Sequence, residues 1–387
     1  MYFYAAVPTI AIFGLNEWGV RLPSVLAGIM IVVGVGQLAK LVFSVLKNKS
    51  LKEKPTGVNQ KLIQLLAMLI TAVSPWAIHF SRAAWESNLA TALILWAVIL
   101  GIKFIQGKSF KNLVGATLLL VLATYTYHAT RLTAPVLGLG LIVLALKRKR
   151  ISFNQTKDRT RLIILGLFSL VLVLPLLLKL SSAELSQRAA ETSIFSQIEI
   201  IEQSNRLKKQ AGNTFLARIF YHRYLLYAKQ ILQNFLSHFR LDFLFLNGDT
   251  NPRHSVQYFN HLYPLELIGL LLGIIFLVSH FNWVIAILTF WLLAGILPAA
   301  LTKTTPHALR ILNTMPLFLT AVSLGWTKLF EIVAQIKNKL WLKLAWVGVI
   351  FSYLIQLTAF WHYYNMVYPQ KYSQYWQGGY QEMVNTV

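Results

Sequence analysis

Four clusters of polar residues in this chain have types and spacings that could do chemistry. The first is Ser74-Pro75-Trp76-Ala77-Ile78-His79-Phe80-Ser81-Arg82-Ala83-Ala84-Trp85-Glu86-Ser87-Asn88. On a continuous helix Arg82 and Glu86 stand four apart and share a face, which suits an interfacial ion pair or a supported catalytic carboxylate. The second is Tyr125-Thr126-Tyr127-His128-Ala129-Thr130-Arg131. Its tyrosines suit interface anchoring, whereas His128 and Arg131 suit a cavity wall. The third runs from Asp242 to Ser255 and contains Asn247-Gly248-Asp249 and Asn251-Pro252-Arg253-His254. Asn-Gly-Asp and Asn-Pro are turn chemistry, so Asp249 is either a turn cap or a site carboxylate. Arg253 and His254, after a rigid proline, could present donors to an anion. The fourth is Thr302-Lys303-Thr304-Thr305-Pro306-His307-Ala308-Leu309-Arg310. With Pro306 in the first turn of the next helix, His307 and Arg310 would share a face at a positive dipole end that favours a phosphate.

The elements that must hold these clusters follow from composition. Of 387 residues, 56% are hydrophobic and only 13% charged, against about 25% charged in soluble proteins. Mean hydropathy is +0.56. These values exclude a soluble enzyme, a disordered chain and a nucleic-acid-binding domain. The net charge of +23 lies between apolar runs, as in polytopic membrane proteins. With no Cys there is no disulfide framework, thiolate nucleophile or Cys-ligated metal. No internal repeat or low-complexity segment stands out. The predicted fold is an all-α polytopic membrane protein of about ten transmembrane helices with juxtamembrane amphipathic helices outside.

The ten predicted spans are 22–46, 62–78, 88–105, 112–128, 130–146, 162–180, 264–279, 283–300, 310–327 and 342–362, each near the roughly 17–25 residues a bilayer requires. With the N-terminus outside, the inner loops and their flanks hold 20 of the 36 basic residues and 3 of the 13 acids, the positive-inside bias. Eight of the nine histidines and all four clusters then lie outside. Residues 214–239 are expected to form one amphipathic helix in the outer interface. The organisation is an outer interfacial segment (1–21), a first bundle (22–180), an outer loop carrying the amphipathic helix (181–263), a second bundle (264–362) and the start of an outer C-terminal region (363–387). Arg82, Arg131, Arg253 and Arg310, with His79, His128, His254 and His307, share one membrane face. Arginine forks suit phosphate, and apolar spans beneath suit a lipid tail. Enzyme, flippase and receptor all remain open on this reading. No ligand spacing demands a metal, and a divalent ion is left open.

At these residues the chain resembles the GT-C membrane glycosyltransferases that use polyprenyl-phosphate sugars, the group of bacterial protein O-mannosyltransferases and lipid A aminoarabinose transferases. The stretches that carry the resemblance are Phe13–Ser24, Ser74–Asn88, Tyr127–Arg131, Asn247–Ser255 and Pro306–Arg310, and their order spans nearly the whole chain. The resemblance implies transfer of a sugar from a polyprenyl-phosphate carrier to a lipid, glycan or protein acceptor, outside a bacterial-type plasma membrane, with inversion at the sugar carbon. It gives Glu86 the place of a supporting acid. Arg82, Arg131, Arg253 and Arg310 are expected holders of the donor phosphate. His79, His128, Asp249, His254 and His307 are expected to line the cavity. In this family the general base precedes the segment matching Tyr2–Gly14. The chain begins at that segment, so the base is expected to lie upstream of Met1. Glu17 does not match the motif. The competing expectations are a lipid or solute transporter, or flippase, and a non-catalytic membrane subunit.

Overall fold

In the computed structural model the described residues are 1–47, 59–107, 109–179, 187, 190–335 and 339–378. Lys49, Lys52, Glu53, Lys54, Lys108 and Lys337 of the expected inner loops lie outside them, as do most of 180–189 and the end of the C-terminal region. The described residues are helical, without a named strand. Helix α1 (Tyr2–Phe13) precedes α2 (Glu17–Lys47), α3 (Gln60–Val73), α4 (Pro75–Arg82), α5 (Glu86–Ile105), α6 (Lys111–Thr126), α7 (Thr130–Lys147) and α8 (Thr156–Lys179). Helices α9 (Ile198–Gln210), α10 (Phe215–Phe220) and α11 (Arg223–Ser237) follow, and then α12 (Glu266–Ser279), α13 (Trp283–Ala300), α14 (Met315–Val333), α15 (Lys339–His362) and α16 (Tyr368–Tyr372).

Among the described residues, seven helical stretches are long and apolar enough to cross a membrane, or eight if the bent pair α3–α4 counts as one span. Helices α6 and α12 stand where two further spans were predicted but are shorter. The α3–α4 pair bends by 60°. Pro75 lacks the N–H that would continue α3, and it sits in the first turn of α4, where that loss costs least. The predicted 310–327 span likewise starts late. Residues 306–311 form turns, and Pro316 rather than Pro306 opens α14. The helical stretch of the last span continues beyond 362, to Trp376. The amphipathic stretch 214–239 is two helices, because the chain turns at Tyr221–His222 and the His222 side chain caps α11. Leu216, Ile219, Phe220 and Tyr224 on it are exposed apolar residues, as an interfacial position requires.

The helices alternate between two ends. Ser24 near the start of α2 hydrogen-bonds the Phe80 carbonyl of α4 at 3.0 Å. Ser44 near its far end shares a pocket with Gln106, Arg148, Arg150 and Trp283, the opposite ends of α5, α7 and α13. In lipid, packing and interhelical hydrogen bonds hold such a bundle together, because the surrounding chains are as apolar as its own. Trp96 Nε1 donates to the Met30 carbonyl at 3.0 Å, and Thr133 Oγ1 to that of Ala294 at 3.1 Å. The closest approach joins α12 and α14. A Cβ on Gly325 would stand 1.8 Å from the Gly269 carbonyl oxygen, and one on Gly273 would stand 1.9 Å from that of Ala321. The Gly269-x-x-x-Gly273 spacing thus lets two backbones touch. Helix α14 so placed brings the segment before it, 302–314, to the end of the bundle occupied by Ser74 and Glu86.

Candidate functional site

Asp249 is the hub of that end. Gly248, at φ +70°, turns the chain in the left-handed region and directs Asp249 inward, where its side chain is 5% exposed. Its Oδ1 accepts the Asn251 N–H at 2.9 Å, closing the turn expected of Asn-Gly-Asp. Its Oδ2 accepts the Ala308 N–H at 2.8 Å, which ties the third cluster to the fourth across 59 positions. Nδ1 of His254 stands 3.2 Å from Oδ2, and Nδ1 of His307 stands 3.7 Å from it. The two imidazoles stack at 4.7 Å. Burial works to raise the Asp249 carboxyl, but the His254 hydrogen bond and charge and the Asn251 N–H outweigh it and hold the group down at about 2. Asp249 therefore stays ionised at neutral pH.

Around the hub stand two histidines that sequence reasoning passed over. His238, at the end of α11, donates from Nδ1 to the Asn234 carbonyl and accepts the His307 N–H at Nε2, 3.1 Å away. This pairing needs the neutral ring, and burial lowers His238 to about 4. His261 lies between Trp76 and Phe243, with ring centroids at 4.5 and 4.6 Å, and burial lowers it to about 3. Burial and the neighbouring Arg310 likewise lower His307, to about 3. The signal for His238 was a histidine interrupting an apolar stripe, and for His261 a histidine just ahead of an apolar run. Glu266, wholly buried in the first turn of α12, was also missed. It accepts the Tyr263 N–H at 3.0 Å, and the Tyr353 hydroxyl lies 3.4 Å away. An acid opening the run Leu265–Leu272 was its only mark in the sequence.

The three neutral histidines make stability depend on pH. Between about 3–4 and 6.5 the folded chain binds fewer protons than the unfolded one, so stability is complete above 6.5 and is lost as pH falls toward 3–4. The melting temperature of the detergent-purified protein is expected to hold between pH 7.5 and about 6.5 and then to drop steadily toward pH 4.5. His261→Phe, which keeps an aromatic ring between Trp76 and Phe243, should flatten that slope. An equal slope in the variant would remove His261 from this role.

The other predicted residues are placed as follows. His79 is buried and its Nε2–H donates to the Arg253 carbonyl at 2.9 Å, joining the first cluster to the third. The Arg253 guanidinium sits over the rings of Trp85 and Trp376 at 5.5 and 5.6 Å. Arg82 lies over Tyr364 at 4.9 Å and donates to Asn365 at 3.2 Å. Arg82 and Glu86 do not share a helix, because α4 ends at Arg82 and α5 begins at Glu86, with extended residues between them. His307 and Arg310 likewise stand in a turn rather than on a helix face. Arg310 donates to the hydroxyls of Thr302 and of Thr304, the latter at 3.2 Å. His128 is exposed and packs on Tyr127 at 4.3 Å, so it belongs to the surface rather than to the hub. Arg131 is half-buried in the first turn of α7, just after that bend. The structure thus unites Asp249, His254 and His307 directly, ties His79 to the adjoining Arg253 backbone and sets Arg310 beside them. Arg82 and Arg253 hold to an aromatic flank. No family model, no curated protein and no solved structure matches the chain.

The arrangement can do two things chemically. An ionised buried carboxylate with two imidazoles can orient a proton-transferring histidine, or it can gather ligands for a cation. The flanking arginines supply planar forks for a phosphate or carboxylate.

Proposed function

We propose that the chain is a membrane glycosyltransferase that moves a sugar from a polyprenyl-phosphate carrier to an acceptor on the outer face of a bacterial-type membrane. The observation that carries this reading is the meeting of distant motifs. The segments 74–88, 247–255 and 306–310, on which the resemblance to GT-C transferases rests, touch through the His79–Arg253 and Asp249–Ala308 hydrogen bonds at one end of an apolar bundle. An apolar groove of about 430 Å³, walled by Leu62, Leu66, Leu69, Trp326, Ile350 and Leu354, suits an isoprenoid tail. It also runs past Val73, beside the same end of the bundle. In this reading the shorter apolar helices α6 and α12 are two further spans, which gives ten passes.

In this reading the acceptor oxygen attacks the sugar carbon on the side opposite the phosphate. The carbon–oxygen bond to the phosphate breaks, and polyprenyl phosphate leaves with the electron pair. Arg310, with Arg82, Arg131 and Arg253, stabilises the charge growing on the leaving phosphate. Glu86 supports the site from the mouth of α5. The acceptor proton goes to a general base.

Native membranes containing the protein in its full length, supplied with a radiolabelled polyprenyl-phosphate sugar, are expected to transfer label to an acceptor fraction. Glu86→Gln and Arg310→Ala should each lower that transfer, the arginine variant by about 10²-fold, the loss typical of one transition-state donor. Unchanged transfer in both variants would overturn the assignment. A lipid transporter is the second reading, favoured by buried Glu266 in an apolar helix. Movement of the sugar lipid across proteoliposomes without product would select it.

A further inference from the structure

We propose that Asp249, His254 and His307 form a binding site for a divalent transition-metal ion of the zinc class. The inference stands on the hub geometry and does not require the transferase reading. One candidate ligand atom from each of Asp249, His254 and His307 lies within 4.8 Å of the other two. Two of the three edges are 3.2 and 3.7 Å. A tetrahedral ion with bonds of about 2.0–2.1 Å needs edges of about 3.4 Å, and these two bracket that value.

The surroundings fit ligation in three ways. Nδ1 of His307 is buried without a hydrogen-bond partner, and at 3.7 Å it is beyond direct bonding to Asp249. A cation between the two atoms would satisfy both. The carboxylate is held from outside, with Oδ1 taking the Asn251 N–H and Oδ2 spending one lone pair on the Ala308 N–H. The second lone pair of Oδ2 meets Nδ1 of His254 at 3.2 Å, so the proton between them is the one an ion would replace. The His307 backbone is fixed by its N–H bond to His238. Ligands oriented by such outer hydrogen bonds are the pattern of working metal sites.

The donor set selects the ion. Two imidazoles and one carboxylate suit zinc, cobalt or iron(II), whereas magnesium and calcium prefer oxygen ligands. Three protein ligands leave a fourth position for water or an anionic oxygen. Arg310, close enough to His307 to lower its basicity, repels a bare dication, so the fourth position favours an anion such as phosphate.

The test is a cobalt titration of the detergent-purified full chain at pH 7.5 after treatment with a chelator. The expected result is a visible d–d absorption band of four- or five-coordinate cobalt that saturates at one equivalent and disappears when zinc is added. His254→Gln and His307→Gln should lose the band, and His128→Gln, at the exposed histidine, should keep it. If a variant fails to fold, X-ray absorption of the zinc-loaded wild-type protein decides, with two imidazole ligands in support and none against. Absence of a saturable band in the wild-type protein, or its survival in both histidine variants, would overturn the site and leave a purely hydrogen-bonded carboxylate–histidine cluster.

Discussion

Replacing Gly325 by alanine is expected to abolish recovery of folded protein, although the change adds a single methyl group. That methyl would lie 1.8 Å from the Gly269 carbonyl oxygen and 2.6 Å from the Gly273 nitrogen, both on the facing helix α12. A flexible side chain could turn aside, but these are backbone atoms, so α12 and α14 must separate. Overpacking a well-filled interior costs about 1–3 kcal/mol and occasionally more. Here the cost falls at the upper end, since parting the helices also forfeits packing along their length. Gly166→Ala is the matched control, because nothing lies within 4 Å of its added Cβ on α8. That variant should melt at or above the wild-type temperature, as alanine favours helix over glycine by about 1 kcal/mol. Size-exclusion profiles and melting curves of the two variants make the comparison. Equal behaviour would show that α12 and α14 do not touch backbone to backbone.

Asp249→Ala is expected to destabilise the protein by about 3–5 kcal/mol. The change strips the Ala308 and Asn251 N–H groups of their acceptor, and each buried donor left unpaired costs about 1–3 kcal/mol. It also removes the partner of His254. Asp249→Asn keeps one carbonyl oxygen for one N–H and should lose less than half as much. Denaturant or thermal unfolding in detergent reads the difference. An alanine variant as stable as the asparagine one would mean that the carboxylate does not hold segments 247–255 and 302–314 together.

The apolar helices were legible in the sequence because a bilayer imposes length and hydropathy directly, and all seven long apolar helices fall on predicted spans. The breaks were not. Pro75 and Pro306 look alike in sequence, yet one opens a helix and the other lies in a turn, since the turns at 306–311 are shaped by Asp249 from another segment. The site residues were found as four separate clusters by their types. Their grouping was not legible, because Asp249 and His307 are 58 positions apart and no local spacing encodes that contact. The arginines show the converse. Grouped by type in the sequence, they take two positions in the fold, Arg310 by the hub and Arg82 and Arg253 on the aromatic flank. His238 and His261 escaped notice because a histidine in an apolar stretch carries no local sign of its partner.

Equilibrium binding decides whether this end of the bundle receives a polyprenyl phosphate. Purified protein in lipid nanodiscs is titrated with radiolabelled polyprenyl phosphate. Unlabelled polyprenyl phosphate and the uncharged polyprenol serve as competitors. Saturable binding displaced by the phosphate and not by the alcohol is expected, weakened about 10–100-fold by Arg310→Ala, the loss of one charge-assisted contact. Equal displacement by the alcohol, or undiminished binding to the Arg310 variant, would contradict the account.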